Sequence, residues 1–446
     1  MRLKQRYNRF VLIIFAFIWA QGLLAQKKVS FVYLDSLSYQ QYLNKDWNGL
    51  IKTTRTAYQN DIDYYYMRMR TGIAFYEKHR YIPAEKHFRK AEQFNNIDKI
   101  NKEYVYYSKL FSGKQKDAYL YYSENKSFLK KSVGLEKKGV TSFSIDVVYH
   151  SNLNKDVASL IKRDEITPNG LQQITLDYKL TSFKFVHDLN DYFRLIHGGS
   201  FLNKNSYYLL NDSIASLEEE VQGINQLQYY GGLSLNPGAG FNILGGIHLL
   251  HYSFPAISTG GTGFSSTYIP GYTGNFYSSR FSVYKYLGLF NFGGGVSYSN
   301  LNFKNQFQKD FRLVFYPLGN LNLYSLSNVY LVSENYNTTT DEYVSMKQVV
   351  GFKTFSNLWM EASAHLGEIK NYTSNGGFNI FNSDETQTSR YDFSLIHEGL
   401  KTNFRLMMSY SEYYNNYFDL VENQTVDLNK IELNGLTIIG EIKWKF

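Results

Sequence analysis

The C-terminal end of the chain alternates between apolar and polar residues with a period of two. Over residues 436–446, LTIIGEIKWKF, every second residue is apolar or glycine, and Glu441, Lys443 and Lys445 lie between them. A period of two indicates a strand, because successive side chains point to opposite faces. One face is apolar and ends in two aromatic residues, while the other carries charge. The pattern therefore predicts the closing strand of a membrane β-barrel.

The same alternation recurs through residues 139–446. It predicts about fourteen strands, which begin near residues 141, 171, 192, 225, 241, 275, 289, 308, 321, 343, 358, 389, 403 and 431. The connections after even-numbered strands are short, and most of those after odd-numbered strands are long, such as residues 203–224, 255–274 and 415–430. Short turns at one end and long loops at the other are typical of outer-membrane barrels, in which the short turns are periplasmic. A soluble all-β fold is the alternative, and it would not show this difference in loop length.

Residues 30–132 have a different pattern, which predicts helices. Gly72 and Phe75, followed by Ala84, Phe88 and Ala91, match the small and large positions of a tetratricopeptide repeat. One period of 34 residues after Ala84, Ala118 starts a further small–aromatic pair. The chain resembles the tetratricopeptide family over this region, and such repeats generally bind partners. An ordinary helical bundle is the alternative. The predicted fold is thus an α+β multidomain one, with tetratricopeptide-like helices followed by an antiparallel transmembrane barrel.

The N-terminus has the layout of a secretory signal peptide. Four basic residues lie between residues 2 and 9, an apolar run covers residues 10–20, and a small residue, Ala25, ends the segment. We expect residues 1–25 to be removed on export; an uncleaved anchor helix is the alternative. The chain contains no cysteine, so a lipoprotein anchor and a disulfide framework are excluded.

Charged residues on the non-lipid faces of the strands are the candidate lumen residues. Both signs occur, so they either pair into a network that holds the wall or form rings that tune passage. The alternation assigns to the lumen Asp146, Lys179, Arg194, Arg280, Asp310, Arg312, Glu361, Arg390, Asp392, Arg405 and Lys443. Inward aromatic residues such as Tyr324 would either close the lumen or stack on sugar rings.

No catalytic motif is present, and we expect neither enzyme activity nor a cofactor. His150, His248, His251, His365 and His397 would be the candidates for a barrel enzyme, but none has a partner that the sequence places beside it. The net charge of +8 is not gathered into a nucleic-acid-binding module. The expected partners are therefore outer-membrane lipid, a periplasmic protein and a carbohydrate polymer.

Two further segments carry a family resemblance. Residues 315–324, FYPLGNLNLY, and residues 371–382, NYTSNGGFNIFN, resemble segments of Bacteroidota outer-membrane proteins that join tetratricopeptide repeats to a barrel, and the plan is similar to that of the YaiO-like barrels. The resemblance implies passage or export of a polar solute or carbohydrate polymer across the outer membrane, with a periplasmic helical domain that docks a partner. The alternatives are a non-conducting barrel that anchors the helices, and a barrel enzyme that modifies lipid or glycan.

Overall fold

The structure is a computed structural model. It describes residues 30–129, 139–160, 170–211, 218–259, 266–336, 339–383, 385–419 and 424–446. The predicted signal peptide, residues 1–25, lies outside the described residues.

The described residues contain six α-helices before the first strand. They are α1 Phe31–Leu43, α2 Trp47–Gln59, α3 Tyr65–Glu77, α4 Tyr81–Phe94, α5 Lys99–Phe111 and α6 Gln115–Glu124. In the described part of the chain, no helix is long and apolar enough to cross a membrane. The chain divides into two compact units, Met1–Ser108 and Lys109–Phe446. The predicted helical domain therefore extends past this boundary, and α6 belongs to the unit that contains the strands.

In the first unit, α3 packs against α4 through small residues. Gly72 on α3 lies against the ring of Phe88 on α4, where an added Cβ would be 2.5 Å from Cε1 of that ring. Ala84, Phe88 and Ala91 are fully buried, and Phe75 stacks on His87 with ring centroids 5.4 Å apart. The small side chains allow the two helices to approach closely, which is why the apolar face of α4 is buried.

The second unit is dominated by a barrel. Within the described residues, fourteen strands close into one antiparallel barrel, in which the first strand pairs with both the second and the last. Two further short strands, β12 Tyr372–Ser374 and β13 Asn379–Phe381, form a separate hairpin. The barrel strands are β1 Gly139–Asn152, β2 Gly170–Asp188, β3 Phe193–Asn211, β4 Glu218–Gly238, β5 Phe241–Thr259, β6 Ser266–Leu287, β7 Phe290–Leu301, β8 Lys304–Phe315, β9 Leu323–Tyr336, β10 Thr339–Phe355, β11 Leu358–Ile369, β14 Thr386–Glu398, β15 Thr402–Asp419 and β16 Gln424–Lys445. The predicted fold class and strand number are confirmed.

The long loops are shorter than the sequence predicts, because the strands extend into them. Residues 255–274 were expected to be a loop, yet β5 continues to Thr259 and β6 begins at Ser266. β3 and β4 likewise extend into residues 203–224, and β15 and β16 into residues 415–430. Antiparallel pairing continues there, since it satisfies backbone hydrogen bonds whether or not the side chains alternate in polarity. The short turns keep their predicted places, so one end of the barrel consists of tight turns.

The outer face of the barrel is apolar. Ile247, Phe281, Phe311 and Leu406 all point outward, and each is more than half exposed. A continuous apolar surface of this kind must face lipid rather than water. The protein is therefore a transmembrane β-barrel of the outer-membrane type.

Aromatic residues form a row near the short-turn end of that outer face. Trp444 on β16 stacks on Phe143 on β1 (5.6 Å between ring centroids), and Phe143 contacts Phe185 on β2 (4.6 Å). Phe185 then stacks on His197 on β3 at 5.4 Å. Nearer the other end, Tyr229 and Tyr277 are both outward and exposed. Aromatic belts at the two edges of an apolar band mark the membrane interfaces.

Candidate functional site: the barrel lumen

The candidate lumen residues that the sequence predicts mostly share one cavity. The cavity has a volume of about 880 Å³ and is lined by inward side chains from around the barrel. Eight of the eleven predicted charges line it: Asp146, Arg280, Asp310, Arg312, Glu361, Arg390, Asp392 and Arg405. Arg194 and Lys443 lie on the same inward faces as Ile196 and Glu441, which also line the cavity.

Lys179 is the exception, and its assignment to the lumen is wrong. Lys179 is exposed and pairs across the strands with the outward residue Tyr149. The physical reason is a register shift in β2 between Thr175 and Asp177. Thr175 lines the cavity, as the alternation predicts. The extra residue of the bulge then reverses the faces, so that Tyr178 lines the cavity and Lys179 points out.

Two groups of inward charges are joined by hydrogen bonds. Asp392 accepts from Arg390 Nε at 2.7 Å and from Lys347 Nζ at 3.1 Å. Glu361 accepts from Arg405 Nη2 at 3.0 Å and from the hydroxyl of Tyr324. Each carboxylate is bonded to at least one group that lies two strands away in the barrel, so these networks brace the wall around the cavity.

Inward-facing glycines make room for large polar side chains along the wall. The ring of Tyr230 passes over Gly246, where an added Cβ would be 2.7 Å from the Tyr230 hydroxyl oxygen. Tyr324 covers Gly351 in the same way. These aromatic residues therefore lie along the wall instead of crossing the lumen, and their faces remain beside the cavity. Flat aromatic faces next to charged groups are the surfaces on which sugar rings stack and form hydrogen bonds.

A segment between β11 and β14 folds into the lumen. This lumen hairpin, residues 370–383, contains β12, a short 3-10 turn at Asn375–Gly377 and β13. The side-chain amide of Gln308 on β8 donates to the carbonyl of Thr373 and accepts from its N–H, both at 2.9 Å. Asn371 donates to Glu334 at 2.8 Å. Side chains of the inner wall thus bond to the hairpin, and Gln308 bonds to its backbone as a neighbouring strand would. These hydrogen bonds fix the hairpin to the wall.

The tip of the lumen hairpin reaches the opposite wall. Tyr230 donates to the carbonyl of Gly376 at 2.9 Å, and Nδ1 of His248 donates to the carbonyl of Gly377 at 3.0 Å. Gly376 and Gly377 have φ values of 68° and 91°, which glycine adopts without steric strain. Two consecutive glycines therefore allow the turn that presents both carbonyls to β4 and β5. The hairpin spans the lumen and divides it.

Aromatic stacking stiffens the hairpin at its base. Tyr372 and Phe381 stack with ring centroids 4.6 Å apart, and Tyr372 also contacts Tyr330 and His365 on the wall. Tyr372, Tyr330 and Phe381 form one apolar cluster. The sequence resemblance drew attention to residues 371–382, but nothing in the alternation indicated that they enter the lumen. The features of the sequence that indicate an unusual turn here are the two consecutive glycines and the aromatic residues on either side of them.

Helix α6 lies across the turns at the other end of the barrel. Lys116 forms an ion pair with Asp188 at 2.9 Å, and Ser123 donates to Asp191 at 2.8 Å. Leu120 contacts the β4–β5 turn at Gly238. Gly113, two residues before the helix, approaches Leu321 in the β8–β9 turn. The helix thus contacts turns on different sides of the mouth of the barrel.

Lys116 is a buried part of that contact. Its side chain is 10% exposed and that of Asp188 is 3% exposed. Burial lowers the pKa of the Lys116 ammonium, and the hydrogen bond and charge of Asp188 partly offset this effect. Arg194 also bonds to Asp188, at 2.7 Å. Asp188 therefore binds both Arg194 on the barrel wall and Lys116 on α6, and the second ion pair fixes α6 to the turn.

Four of the five histidines named as catalytic candidates have hydrogen bonds to structural partners, and His397 has a ring contact with Phe404. His150 bonds to Thr437 at 2.9 Å, and His365 bonds to Ser345 at 3.0 Å. His251 lies on the outer face and bonds to Asn275. In the part of the chain that the structure describes, no group of three or more His, Asp or Glu residues is arranged to hold a metal ion.

Comparison with known proteins gives matches in structure alone. No protein-family model matches the chain, and no curated protein does. Among solved structures, the chain is similar to the P. putida toluene transporter TodX, with 8% identity and a TM-score of 0.44 over 70% of this chain and 91% of that one. The Ralstonia pickettii toluene transporter TbuX has 7% identity and a TM-score of 0.42 over 70% and 90%. A Pseudomonas aeruginosa FadL homologue has 9% identity and a TM-score of 0.39 over 69% and 90%.

Proposed function

We propose that the barrel passes a polar, carbohydrate-like solute across the outer membrane and that the lumen hairpin controls this passage. The observation that carries the proposal is the lining of the cavity. Charged groups of both signs alternate with tyrosine faces such as those of Tyr230 and Tyr324. Charged groups bind hydroxyls, and aromatic faces stack on the apolar faces of sugar rings, so the lumen suits a saccharide. The toluene transporters carry an apolar solute, and such a charged lining would not bind an apolar solute well.

The helical unit supplies the second part of the proposal. α6 contacts the short turns, which face the periplasm in barrels of this type, and the chain runs from α5 into α6 through only three residues. We propose that α1–α5 are periplasmic, tetratricopeptide-like helices that dock a protein partner. Closely packed helix pairs such as α3 and α4 generally present a binding surface, and we assign the unit no catalytic role.

A non-conducting anchor is the second candidate function, and one observation favours it. The lumen hairpin crosses the interior of the barrel, and α6 lies on the short turns at one end of it. A barrel that never opened would still hold the helical unit at the membrane. A permanent plug would also make many polar contacts with the wall, as this hairpin does. A measurement of solute flux therefore separates the two functions.

Swelling of proteoliposomes tests the proposed function. The purified full-length protein is incorporated into liposomes, and swelling is followed in isotonic arabinose, sucrose or raffinose. We expect swelling that slows as the sugar becomes larger, because the hairpin narrows the lumen. Uptake of toluene without sugar flux would contradict the polar-solute proposal. An absence of flux for every solute, also after removal of the hairpin, would favour the anchor.

A further inference from the structure

Arg280 is an inward cation whose hydrogen-bonding capacity is only partly used. Its side chain is 3% exposed, and Nη2 bonds to Asp310 at 2.7 Å. Within the described residues, Nε and Nη1 of Arg280 are buried and have no hydrogen-bond partner. The tip of the lumen hairpin lies on the stem of this side chain, since a Cβ added to Gly377 would be 3.4 Å from Cβ and Cδ of Arg280. The hairpin therefore covers a cation with unmet donors, which is unfavourable.

A second cation lies on the same patch of wall. Asp310 pairs across the strands with Gly295 on β7, and Arg312 pairs with Gly293. Neither glycine has a side chain to separate the charges of β8 from those of β6. The Arg312 guanidinium lies 5.4 Å from the ring centroid of Tyr284 on β6, and its Nε has no partner among the described residues. Arg280 thus has Asp310 as its ion-pair partner, whereas Arg312 forms no ion pair with any described residue.

Three carboxylates elsewhere in the lumen are held by cations of their own. Asp392 is bonded to Arg390 and Lys347. Glu361 is bonded to Arg405, and Glu334 forms an ion pair with Lys304. These groups would have to break good ion pairs to neutralise Arg280 and Arg312. The patch of Arg280, Asp310 and Arg312 therefore keeps an excess positive charge that a ligand could neutralise.

We propose that Arg280 and Arg312 form a subsite for a carboxylate on the saccharide that the barrel passes. The inference rests on the proposed function and narrows its substrate class to acidic saccharides. Tyr284, Tyr324 and Tyr330 line the same cavity and supply faces for the sugar ring. The ligand reaches the donors of Arg280 when the hairpin tip moves off that side chain. Binding therefore favours the open position of the hairpin.

Calorimetric titration of the full-length protein in detergent tests the subsite. The probes are trigalacturonate, maltotriose as a neutral trisaccharide, and sodium acetate as a free carboxylate. We expect trigalacturonate to bind about tenfold or more tightly than maltotriose or acetate, the factor expected for one charge-assisted hydrogen bond. Arg312→Gln should reduce trigalacturonate affinity by about the same factor. Lys309→Gln makes the same change on the exposed outer face of β8 and should leave affinity unchanged.

A double variant serves as a second test in case a single substitution prevents folding. Replacing both Arg280 and Asp310, as R280Q/D310N, removes the ion pair as a whole, so neither partner is left as a buried single charge, and should weaken trigalacturonate binding as Arg312→Gln does. Equal affinity for trigalacturonate and maltotriose, or unchanged binding by Arg312→Gln, would overturn the subsite. Acetate binding as tightly as trigalacturonate would overturn its assignment to a saccharide.

Conductance of the same preparation separates this proposal from the proposed function. Selective binding without any conductance would contradict passage while leaving the subsite standing. Conductance without selective binding would contradict the subsite alone.

Discussion

Glycine residues on the inner face determine where the large lumen side chains lie. Gly351 lies beneath the ring of Tyr324, and Gly246 lies beneath that of Tyr230. A methyl group at either position would push the ring off the wall and into the cavity. Glycine usually weakens a strand. At these two positions the strand is therefore less stable, but the lumen stays open. Single residues thus decide whether an inward tyrosine lines the path or blocks it.

Removing the charge of Asp392 should destabilise the barrel. Asp392 is buried between Arg390 and Lys347, and Asp392→Asn leaves both cations without their carboxylate. We expect a loss of about 3 kcal/mol in the free energy of unfolding, as for other buried ion pairs that lose one partner. Urea unfolding in lipid vesicles, followed by tryptophan fluorescence, measures this loss. The exposed Asp341→Asn is the matched control; an equal effect of both variants would show that the buried network contributes nothing.

The helical unit should lose stability in mild acid because of His87. Burial, and then the nearby charge of Arg68, lower the pKa of His87 from 6.5 to about 4. The unfolded chain therefore binds more protons than the folded one between these values, so stability is complete above about pH 6.5 and falls as the pH decreases towards 4. We expect a loss of at most about 2 kcal/mol at pH 5.

Thermal melting followed by circular dichroism at 222 nm, at pH 7.5 and pH 5, measures that loss. His87→Phe keeps an aromatic ring against Phe75 and cannot titrate, so its melting temperature should change less between the two pH values. The same acid shift in wild type and variant would exclude His87 as the cause.

Residue by residue, alternation predicts the inner face well until the register shifts. Asp310, Arg312, Glu361 and Arg405 lie where a strict period of two places them. Lys179 does not, because the bulge after Thr175 adds one residue to β2. Bulges follow from local backbone geometry and have no fixed sequence signal. The alternation alone therefore could not locate this one.

At the scale of elements, the lumen hairpin is the main departure from a simple barrel. Its polar contacts replace ladder hydrogen bonds, as Gln308 does for Thr373. Strand number and turn positions could be predicted because they follow from the period and from turn residues. The hairpin could not, since its lumen position depends on contacts with β4, β5 and β8, which are distant in sequence.

Weakening one of these contacts should loosen the hairpin. Gln308→Ala removes both hydrogen bonds to Thr373, so we expect the tip to spend more time away from the wall. The chain has no cysteine, so Thr373→Cys places a single thiol at a position that the closed hairpin buries. The rate of labelling by a charged maleimide should increase about fivefold to tenfold, as expected for the loss of about 1 kcal/mol of hydrogen bonding.

Gln348→Ala is the matched control for that measurement. Gln348 lies on β10 and bonds to Ser325 and Ser327 on β9, away from the hairpin. It should leave the labelling rate unchanged. A rate that Gln308→Ala does not alter would mean that these hydrogen bonds do not hold the hairpin in place.

At the scale of the whole molecule, the barrel is obstructed at two levels. The lumen hairpin crosses the interior, and α6 is fixed to the short turns by Lys116 and Ser123. The hairpin is a connection between two barrel strands, whereas α6 comes directly after the helical unit in the sequence. Under the proposed function, a partner docked on the helices would act on one end of the path, and a solute would act on the hairpin.

Single-channel recording in a planar bilayer tests the central claim, a polar path controlled by the lumen hairpin. The full-length protein is compared with a variant in which residues 372–381 are replaced by Gly-Gly. We expect small, flickering currents from the intact protein and a steady conductance several times larger from the variant, because the hairpin narrows the cross-section of the lumen. No current from either protein, or equal conductance from both, would contradict the account.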